Sequence, residues 1–126
     1  MAGLKRVLVV DDDDEMRRLL TTILSGAYEV SAAPDGAAGL ELARRVRPDL
    51  VVLDLLMPRM HGFEVCRRLR EDPELKGVKV LISSSKSYPH DVRTALEETG
   101  ADGYLVKPFD VDELRGRVAD LLGVPR

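Results

Sequence analysis

The sequence predicts an α/β fold, in which helices cover both faces of a doubly wound, five-stranded parallel sheet. Two observations predict it. Short aliphatic runs alternate five times with segments of helical apolar periodicity, and three of the runs are nearly continuous, as in strands buried on both faces. Parallel neighbours then need helical crossovers between them. At 126 residues, 44% of them hydrophobic, the chain is expected to form one domain over residues 1–126.

The strands follow from the apolar runs. Residues 7–10, 50–53 and 80–82 are almost entirely aliphatic and are expected to be the central strands. Residues 28–33 alternate between larger apolar and smaller or polar side chains, and residues 104–106 form only a brief run. We therefore expect these two segments at the edges of the sheet.

The helices follow from the 3.6-residue period. The first is marked by an apolar stripe at positions 16, 19, 20, 23 and 24, and we expect Gly26 to end it. The last covers residues 111–122, with Asp110 and Glu113 spaced as a capping box. Helices are also expected over 37–46, 63–69 and 89–98. The helix over 89–98 has few apolar residues and should be the least firmly docked.

Polar residues cluster where the strands end. Asp11 and Asp12 end the first strand and Asp54 ends the third, while residues 83–85 end the fourth and Lys107 follows the fifth. The carboxyl ends of parallel strands share one edge of the sheet, and ligands bind in the crevice there. Neighbouring carboxylates repel one another unless a cation lies between them. The pattern therefore predicts a cation-binding site at this edge.

Three stretches of the sequence resemble the receiver domain of two-component response regulators, and the resemblance covers nearly the whole chain. They are VLVVDDD at 7–13, PDLVVLDLLMPRMHG at 48–62 and GADGYLVKPF at 100–109. The resemblance implies a flavodoxin-like sheet with strand order 2-1-3-4-5. It also implies a cytoplasmic phosphoacceptor that receives its phosphoryl group from a histidine kinase or phosphotransfer protein.

The resemblance assigns roles to particular residues. Asp54 matches the phosphoacceptor, and Asp11 and Asp12 match the acidic pair that holds Mg²⁺. The backbone carbonyl of Leu56 matches the remaining protein ligand of the metal. Lys107 matches the phosphate-contacting lysine, and a cis peptide is common before the proline that follows it. The charges agree, because the three aspartates and the lysine together leave two negative charges for a divalent cation to offset.

Two further residues match the family's conformational switch. Tyr104 matches its aromatic residue, which we expect to move when the loop after the fourth strand shifts. The family also ends the fourth strand with a Ser or Thr, and three serines are candidates. Counting back from Lys107 reaches Ser85, but ALEETGA carries one residue more than the usual spacing, which favours Ser84. Lys79 then stands where the family often has a proline.

Other residues support simpler interpretations. Residues 13–15 are acidic and fall in a first helical turn, where negative charge suits the helix dipole. His61 takes a position where the family frequently has Asp, and we expect a solvated loop histidine. The single cysteine, Cys66, excludes an intramolecular disulfide.

The partners expected from the sequence are proteins. The net charge of −3 gives no indication of nucleic-acid binding, and there is no signal peptide or long apolar span to suggest a membrane. The sequence stops soon after the last predicted helix, so no output domain is expected in it, and the chain is either a stand-alone receiver domain or one excised from a longer regulator. A downstream protein should bind the face formed by the fourth helix, fifth strand and fifth helix. We expect a signalling phosphoacceptor, not a conventional enzyme, that promotes its own Mg²⁺-dependent phosphorylation and dephosphorylation.

Three other functions fit the sequence less well. A pseudo-receiver, an interaction module that phosphorylation does not regulate, normally lacks an acidic, acceptor or lysine position, and all are present here. A haloacid-dehalogenase-type phosphatase would match Asp11 and Asp13 as its aspartate pair, but it wants Thr or Val where Glu15 stands and a cap segment. A dinucleotide-binding enzyme would need a glycine-rich turn after the first strand, and none is present.

Overall fold

The fold is the predicted alternation of strands and helices. The computed structural model describes residues 3–86 and 88–125. The strands are β1 (Arg6–Val10), β2 (Glu29–Ala33), β3 (Leu50–Asp54), β4 (Lys79–Ser84) and β5 (Gly103–Val106). The helices are α1 (Asp14–Leu24), α2 (Gly36–Val46), α3 (Gly62–Glu71), α4 (Pro89–Thr99) and α5 (Val111–Leu122).

The five strands form one parallel sheet in the order β2-β1-β3-β4-β5. This confirms the predicted fold class and strand order, with β2 and β5 at the edges. The order reverses between β1 and β3, which places a crevice at the carboxyl ends of these two strands. Among the described residues, no helix is both long enough and apolar enough to cross a membrane.

Two hydrophobic layers hold the helices against the sheet. On one face, α2, α3 and α4 pack through residues such as Leu40, Leu69 and Ala95. On the other face, α1 and α5 pack through residues such as Leu20 and Leu114. Each fully buried leucine side chain contributes about 1.5–3 kcal/mol. The central strands are therefore apolar on both faces, as the continuous aliphatic runs predict.

Side chains alternate between the two faces along each strand, and this alternation determines which residues share a face at the carboxyl edge of the sheet. Val9, Val52 and Leu105 face α1 and α5. Alternate residues of a strand share a face, so the same face continues at the carboxyl edge into four polar residues, namely Asp11, Asp54, Ser83 and Lys107. Ser84 comes one residue after Ser83, so its side chain lies on the opposite face of the sheet, the face that also carries Tyr104.

Aspartate side chains begin three of the helices. Asp13, Asp35 and Asp110 accept backbone N–H bonds at the first turns of α1, α2 and α5. The N–H of Glu113 donates to Asp110 Oδ1 at 2.7 Å, which is the predicted cap of the last helix. A cap of this kind is worth about 1 kcal/mol.

The prediction that Gly26 ends α1 is wrong. The helix stops at Leu24, and Ser25 is the C-cap with right-handed backbone angles. The N–H groups of Ala27 and Tyr28 both donate to the Leu24 carbonyl, so a turn without a left-handed residue leads into β2.

α4 is the most thinly packed helix. It buries only Ala95 and Thr99, which are smaller than the two leucines that α1 buries, and in the described part of the chain the side chain of its N-cap residue, Tyr88, makes no capping bond. Pro89 lies in the first turn, where its missing N–H costs nothing. The weak apolar stripe of this segment predicts this packing.

Candidate functional site

Three carboxylates meet at the switch in strand order. Asp11 follows β1, Asp12 comes next to it, and Asp54 ends β3. One carboxylate oxygen from each lies within 4.8 Å of the others. Asp11 and Asp54 are buried, whereas Asp12 is exposed. The site is thus a pair of shielded carboxylates with a third at its solvent edge.

Lys107 reaches into this cluster from the end of β5. Its Nζ lies 3.0 Å from Asp11 Oδ2 and 3.6 Å from Asp54 Oδ1. Its peptide bond to Pro108 is cis. The structure therefore brings Asp11, Asp12, Asp54 and Lys107 together, although they are spread over almost the whole sequence.

A backbone N–H and an arginine side chain hold Asp11 in place. The N–H of Asp13 donates to Asp11 Oδ1 at 2.9 Å, and Arg17 Nη1 donates to the Asp11 carbonyl at 2.8 Å. Asp13 itself caps α1 by accepting from the Glu15 N–H at 3.0 Å. Asp13 therefore acts as an N-cap, a more specific role than the general dipole effect expected for residues 13–15. Arg17, which ties α1 to the end of β1, was not predicted from the sequence.

The pKa of Asp54 is raised from its ordinary 3.8 to about 6. Burial is the largest cause, because it penalises the charged form. Lys107 opposes the shift, the negative charge of Asp11 and a hydrogen bond with Asp12 add to it, and the Leu56 N–H opposes it weakly. The carboxyl group is thus more basic than an exposed aspartate, and a bound cation would favour its charged form.

The loop after β3 packs closely against the site. The N–H of Gly62 donates to the Leu55 carbonyl at 2.9 Å. A Cβ at Gly62 would come within 2.8 Å of the Asp54 carbonyl oxygen, so a side chain does not fit there. Leu56 lies in this loop and is 45% exposed. Its N–H is 3.4 Å from Asp54 Oδ1, a long contact.

His61 has a structural role. Its Nδ1 accepts the Phe63 N–H at 3.2 Å as the N-cap of α3, and its ring contacts Phe63 edge-on at 4.9 Å. The sequence suggested only a solvated loop histidine. An aspartate at position 61 would accept the same N–H bond as the N-cap of α3. Histidine therefore performs the capping function here with a different side chain.

The serines at the end of β4 differ in environment. Ser85 is exposed and Ser84 is buried. Ser84 Oγ accepts the Lys86 N–H at 3.2 Å, and its carbonyl accepts the Lys107 N–H at 2.8 Å. Ser83 stands beside Asp54 in the sheet, and its buried hydroxyl has no partner among the described residues.

Tyr104 lies on the far face of the sheet from Lys107. It is buried, and its hydroxyl donates to the Lys86 carbonyl at 2.9 Å. Its ring lies inside the protein in this structure, and its movement with the loop after β4 stays a prediction. Both Tyr104 and Ser84 bind the backbone of Lys86, so the two predicted switch residues meet there.

The donor set suits a hard divalent cation. Carboxylate oxygens are the ligands that Mg²⁺ prefers, usually from one or two residues together with waters and phosphate oxygens. Within residues 3–86 and 88–125, the three aspartates are the one such group of acidic, histidine or cysteine side chains. In this structure the Lys107 ammonium contacts the Asp11 carboxylate. A metal ion bound to Asp11 would therefore compete with that ion pair.

Comparison with known proteins agrees with this geometry. The sequence model of the response regulator receiver domain matches residues 7–119. The DNA-binding response regulator MtrA of Mycobacterium tuberculosis is 44% identical over 115 residues, which cover 90% of this chain and 49% of MtrA. The dual master transcriptional regulator RpaA of Synechocystis is 41% identical over 93% of this chain and 48% of RpaA. The chain thus spans about half the length of these relatives.

Solved structures show the same fold. The chemotaxis protein CheY4 of Vibrio cholerae is 32% identical with a TM-score of 0.89, over 94% of this chain and 99% of that one. A putative response regulator from Chloroflexus aurantiacus is 34% identical with a TM-score of 0.89, over 96% of this chain and 99% of that one.

Proposed function

The chain belongs to the response regulator receiver family, and from that premise we propose that Asp54 accepts a phosphoryl group from a histidine kinase or phosphotransfer protein. One observation carries the proposal. Asp54, the acidic pair Asp11 and Asp12, and the Lys107 ammonium converge at one point on the carboxyl edge of the sheet. Each group is of the type that phosphoryl transfer to a carboxylate requires.

The transfer step needs an attacking carboxylate and screened phosphoryl oxygens. An oxygen of Asp54 attacks the phosphorus of the donor's phosphohistidine, so that an O–P bond forms while the P–N bond breaks. The electron pair of that bond leaves with the imidazole nitrogen. Lys107, 3.6 Å from Asp54 Oδ1, lies where it can offset the charge of the arriving phosphoryl oxygens. The protein mainly positions and neutralises the reacting groups.

Asp11, Asp12 and Asp54 would hold Mg²⁺, together with the backbone carbonyl of Leu56. When bound, Mg²⁺ supplies charge neutralisation at the phosphoryl oxygens. The same residues serve dephosphorylation, a separate reaction in which water attacks the phosphorus of phospho-Asp54, the O–P bond to Asp54 breaks and inorganic phosphate leaves. The domain is therefore a signalling phosphoacceptor that promotes its own phosphorylation and dephosphorylation.

The proposed output is a change in a protein-binding face formed by α4, β5 and α5. It is supported by the contacts of Lys86, which joins the end of β4 to Tyr104 on β5 and leads toward α4. With a net charge of −3, the chain offers no bulk attraction for nucleic acid. The relatives' DNA-binding descriptions belong to proteins about twice this length.

Phosphorylation by a small donor tests the proposal. Incubation with Mg²⁺ and acetyl phosphate should add one phosphoryl group to the intact protein, as measured by mass spectrometry. Asp54→Asn should abolish the addition, because the amide is not a nucleophile. Asp13→Asn is the matched control: it removes a neighbouring charge but keeps a good N-cap for α1, and should label normally.

Two outcomes would contradict the proposal. Undiminished labelling of Asp54→Asn would place the acceptor at another residue. A wild-type protein that binds Mg²⁺ but is labelled by neither acetyl phosphate nor a panel of phosphorylated kinases would instead be a pseudo-receiver, an interaction module independent of phosphorylation.

A further inference from the structure

A buried hydroxyl beside the site has no role in the function proposed so far. Ser83 is 1% exposed, and its Oγ makes no hydrogen bond with any described residue. Leaving a buried polar group unpaired costs about 1–3 kcal/mol, whereas an apolar residue at the same position avoids that cost. Buried hydroxyls of this kind are uncommon, and each one calls for an explanation.

The register of the sheet places Ser83 between Asp54 and Lys107. Ser83 pairs with Asp54 on β3 and with Leu105 on β5, and paired residues of parallel strands stand side by side on the same face. Lys107 lies two residues after Leu105, so its side chain begins on this face too. To reach Asp11 beside β1, it must extend across the ends of β4 and β3. Its path therefore passes the end of β4, where Ser83 lies.

The contacts of Lys107 suggest what the hydroxyl can do. The ammonium has three N–H donors, and Asp11 and Asp54 contact it here at 3.0 and 3.6 Å. A divalent cation held by Asp11 and Asp54 would compete with the ammonium for their carboxylate oxygens. A further acceptor would then help Lys107 to stay over Asp54, and another carboxylate there would itself compete for the metal. A serine hydroxyl accepts a hydrogen bond without adding negative charge.

We propose that Ser83 is a positioning residue for Lys107: when the cation occupies the aspartates, the Ser83 hydroxyl accepts a hydrogen bond from the Lys107 ammonium. The bond forms after rotation of the serine side chain or through one buried water. It holds the ammonium where a phosphoryl group arrives, and it leaves the ammonium's charge intact. The inference rests on the proposed function, because it assigns Ser83 a part in orienting that site.

A matched pair of variants isolates the hydroxyl. Ser83→Thr and Ser83→Val add side chains of almost the same shape, and only the threonine keeps an O–H group. Any packing disturbance is therefore common to both. Ser83→Ala adds no volume and is compared directly with the wild type, so the test stays decisive if the branched residues do not fit.

Phosphorylation kinetics provide the first readout. With acetyl phosphate and saturating Mg²⁺, the maximal rate of Ser83→Val should fall about fivefold or more below that of Ser83→Thr. Ser83→Ala should show a similar loss against the wild type. The donor concentration at half-maximal rate and the Mg²⁺ affinity from calorimetry should be unchanged, because the hydroxyl touches neither the donor nor the metal.

A second readout does not depend on phosphorylation. In the Mg²⁺-loaded, unphosphorylated protein, the ¹⁵N signal of the Lys107 ammonium should differ between Ser83→Val and Ser83→Thr, and the Thr signal should match the wild type. If the wild type is never phosphorylated, the proposed function fails while this signal still tests the contact. Equal rates together with coincident ammonium signals in the Thr and Val variants would overturn the proposal.

Discussion

At the scale of single residues, the three carboxylates of the cluster differ in how well the protein offsets their charge. Asp11 receives the Lys107 ammonium at 3.0 Å and the Asp13 N–H at 2.9 Å. Asp54 is nearly as buried but has only longer contacts, to Lys107 at 3.6 Å and to the Leu56 N–H at 3.4 Å. Of the two buried carboxylates, Asp54 thus has the less compensated charge, which together with its burial accounts for its raised pKa and favours it as the nucleophile.

The raised pKa of Asp54 predicts how the free energy of unfolding depends on pH in the absence of Mg²⁺. The pKa of Asp54 is about 6 in the folded protein, above its ordinary 3.8. Between these values the folded state binds more protons than the unfolded state, so Asp54 lowers stability progressively as pH rises from about 4 to above 6. Asp54→Asn removes the effect. The variant should be more stable than the wild type at pH 7, by on the order of 2 kcal/mol.

Urea unfolding in EDTA across pH 4–8 measures this difference. The gap between Asp54→Asn and the wild type should shrink toward zero near pH 4, because Asp54 is then largely protonated in the folded protein and increasingly so in the unfolded chain. Acidic groups outside the cluster titrate alike in both proteins and cancel in the comparison. A gap that stayed constant with pH would show that the carboxylate's charge is not the cause.

The sequence could predict the cluster but not its surroundings. Asp11, Asp54 and Lys107 follow aliphatic runs, and the carboxyl ends of parallel strands meet at one edge, so their proximity follows from the pattern. The bond from Arg17 to the Asp11 carbonyl depends on how α1 is rotated against the sheet, which the spacing does not determine. Ser83 and Ser84 face opposite sides, and only the register of β4 decides which stands beside Asp54.

At the scale of the elements, apolar periodicity predicts where helices run better than it predicts how they end. α2 ends with Arg47 in the left-handed conformation, at φ 50° and ψ 69°, where glycine is the usual residue. Pro48 follows, so the end of this helix is predictable, whereas the left-handed arginine is not. At α1 the opposite is found. Gly26 was predicted to end the helix, but α1 ends before it, at Leu24.

Because Arg47 is left-handed, a glycine at this position should give a more stable protein than an alanine, which is the reverse of the usual order in a helix. Arg47→Gly should be more stable than Arg47→Ala by about 1 kcal/mol, because a Cβ is strained in this conformation. Both variants lose the ion pair with Glu74, so it cancels between them. At Arg45, an exposed position inside α2, the glycine variant should instead be about 1 kcal/mol less stable than the alanine variant. Thermal or urea unfolding of the four variants checks both signs. Alanine equal to or better than glycine at position 47 would contradict the strain argument.

At the scale of the whole molecule, a path of contacts leads from the carboxylate cluster to α4. The Ser84 carbonyl accepts the Lys107 N–H, its hydroxyl accepts the Lys86 N–H, and the Lys86 carbonyl accepts the Tyr104 hydroxyl. A phosphoryl group on Asp54 offers the Ser84 hydroxyl a charged acceptor, and turning toward it would weaken the bond to Lys86. The phosphoryl group favours the new state only through such differential contacts.

Phosphorylation should change amide exchange over residues 84–104 and leave that of α2 nearly unchanged. α4 buries only two residues and should respond most, whereas α2 is capped by Asp35 and buries four. Ser84→Ala removes the hydroxyl that connects the phosphoryl group to Lys86, so its exchange over 84–104 should no longer respond although Asp54 is still phosphorylated. Ser85→Ala, at the exposed neighbour, should respond like the wild type. Hydrogen exchange with mass spectrometry on each protein, with and without acetyl phosphate and Mg²⁺, measures the pattern. A response confined to α2, or a normal response in Ser84→Ala, would show that the signal leaves the site by another path.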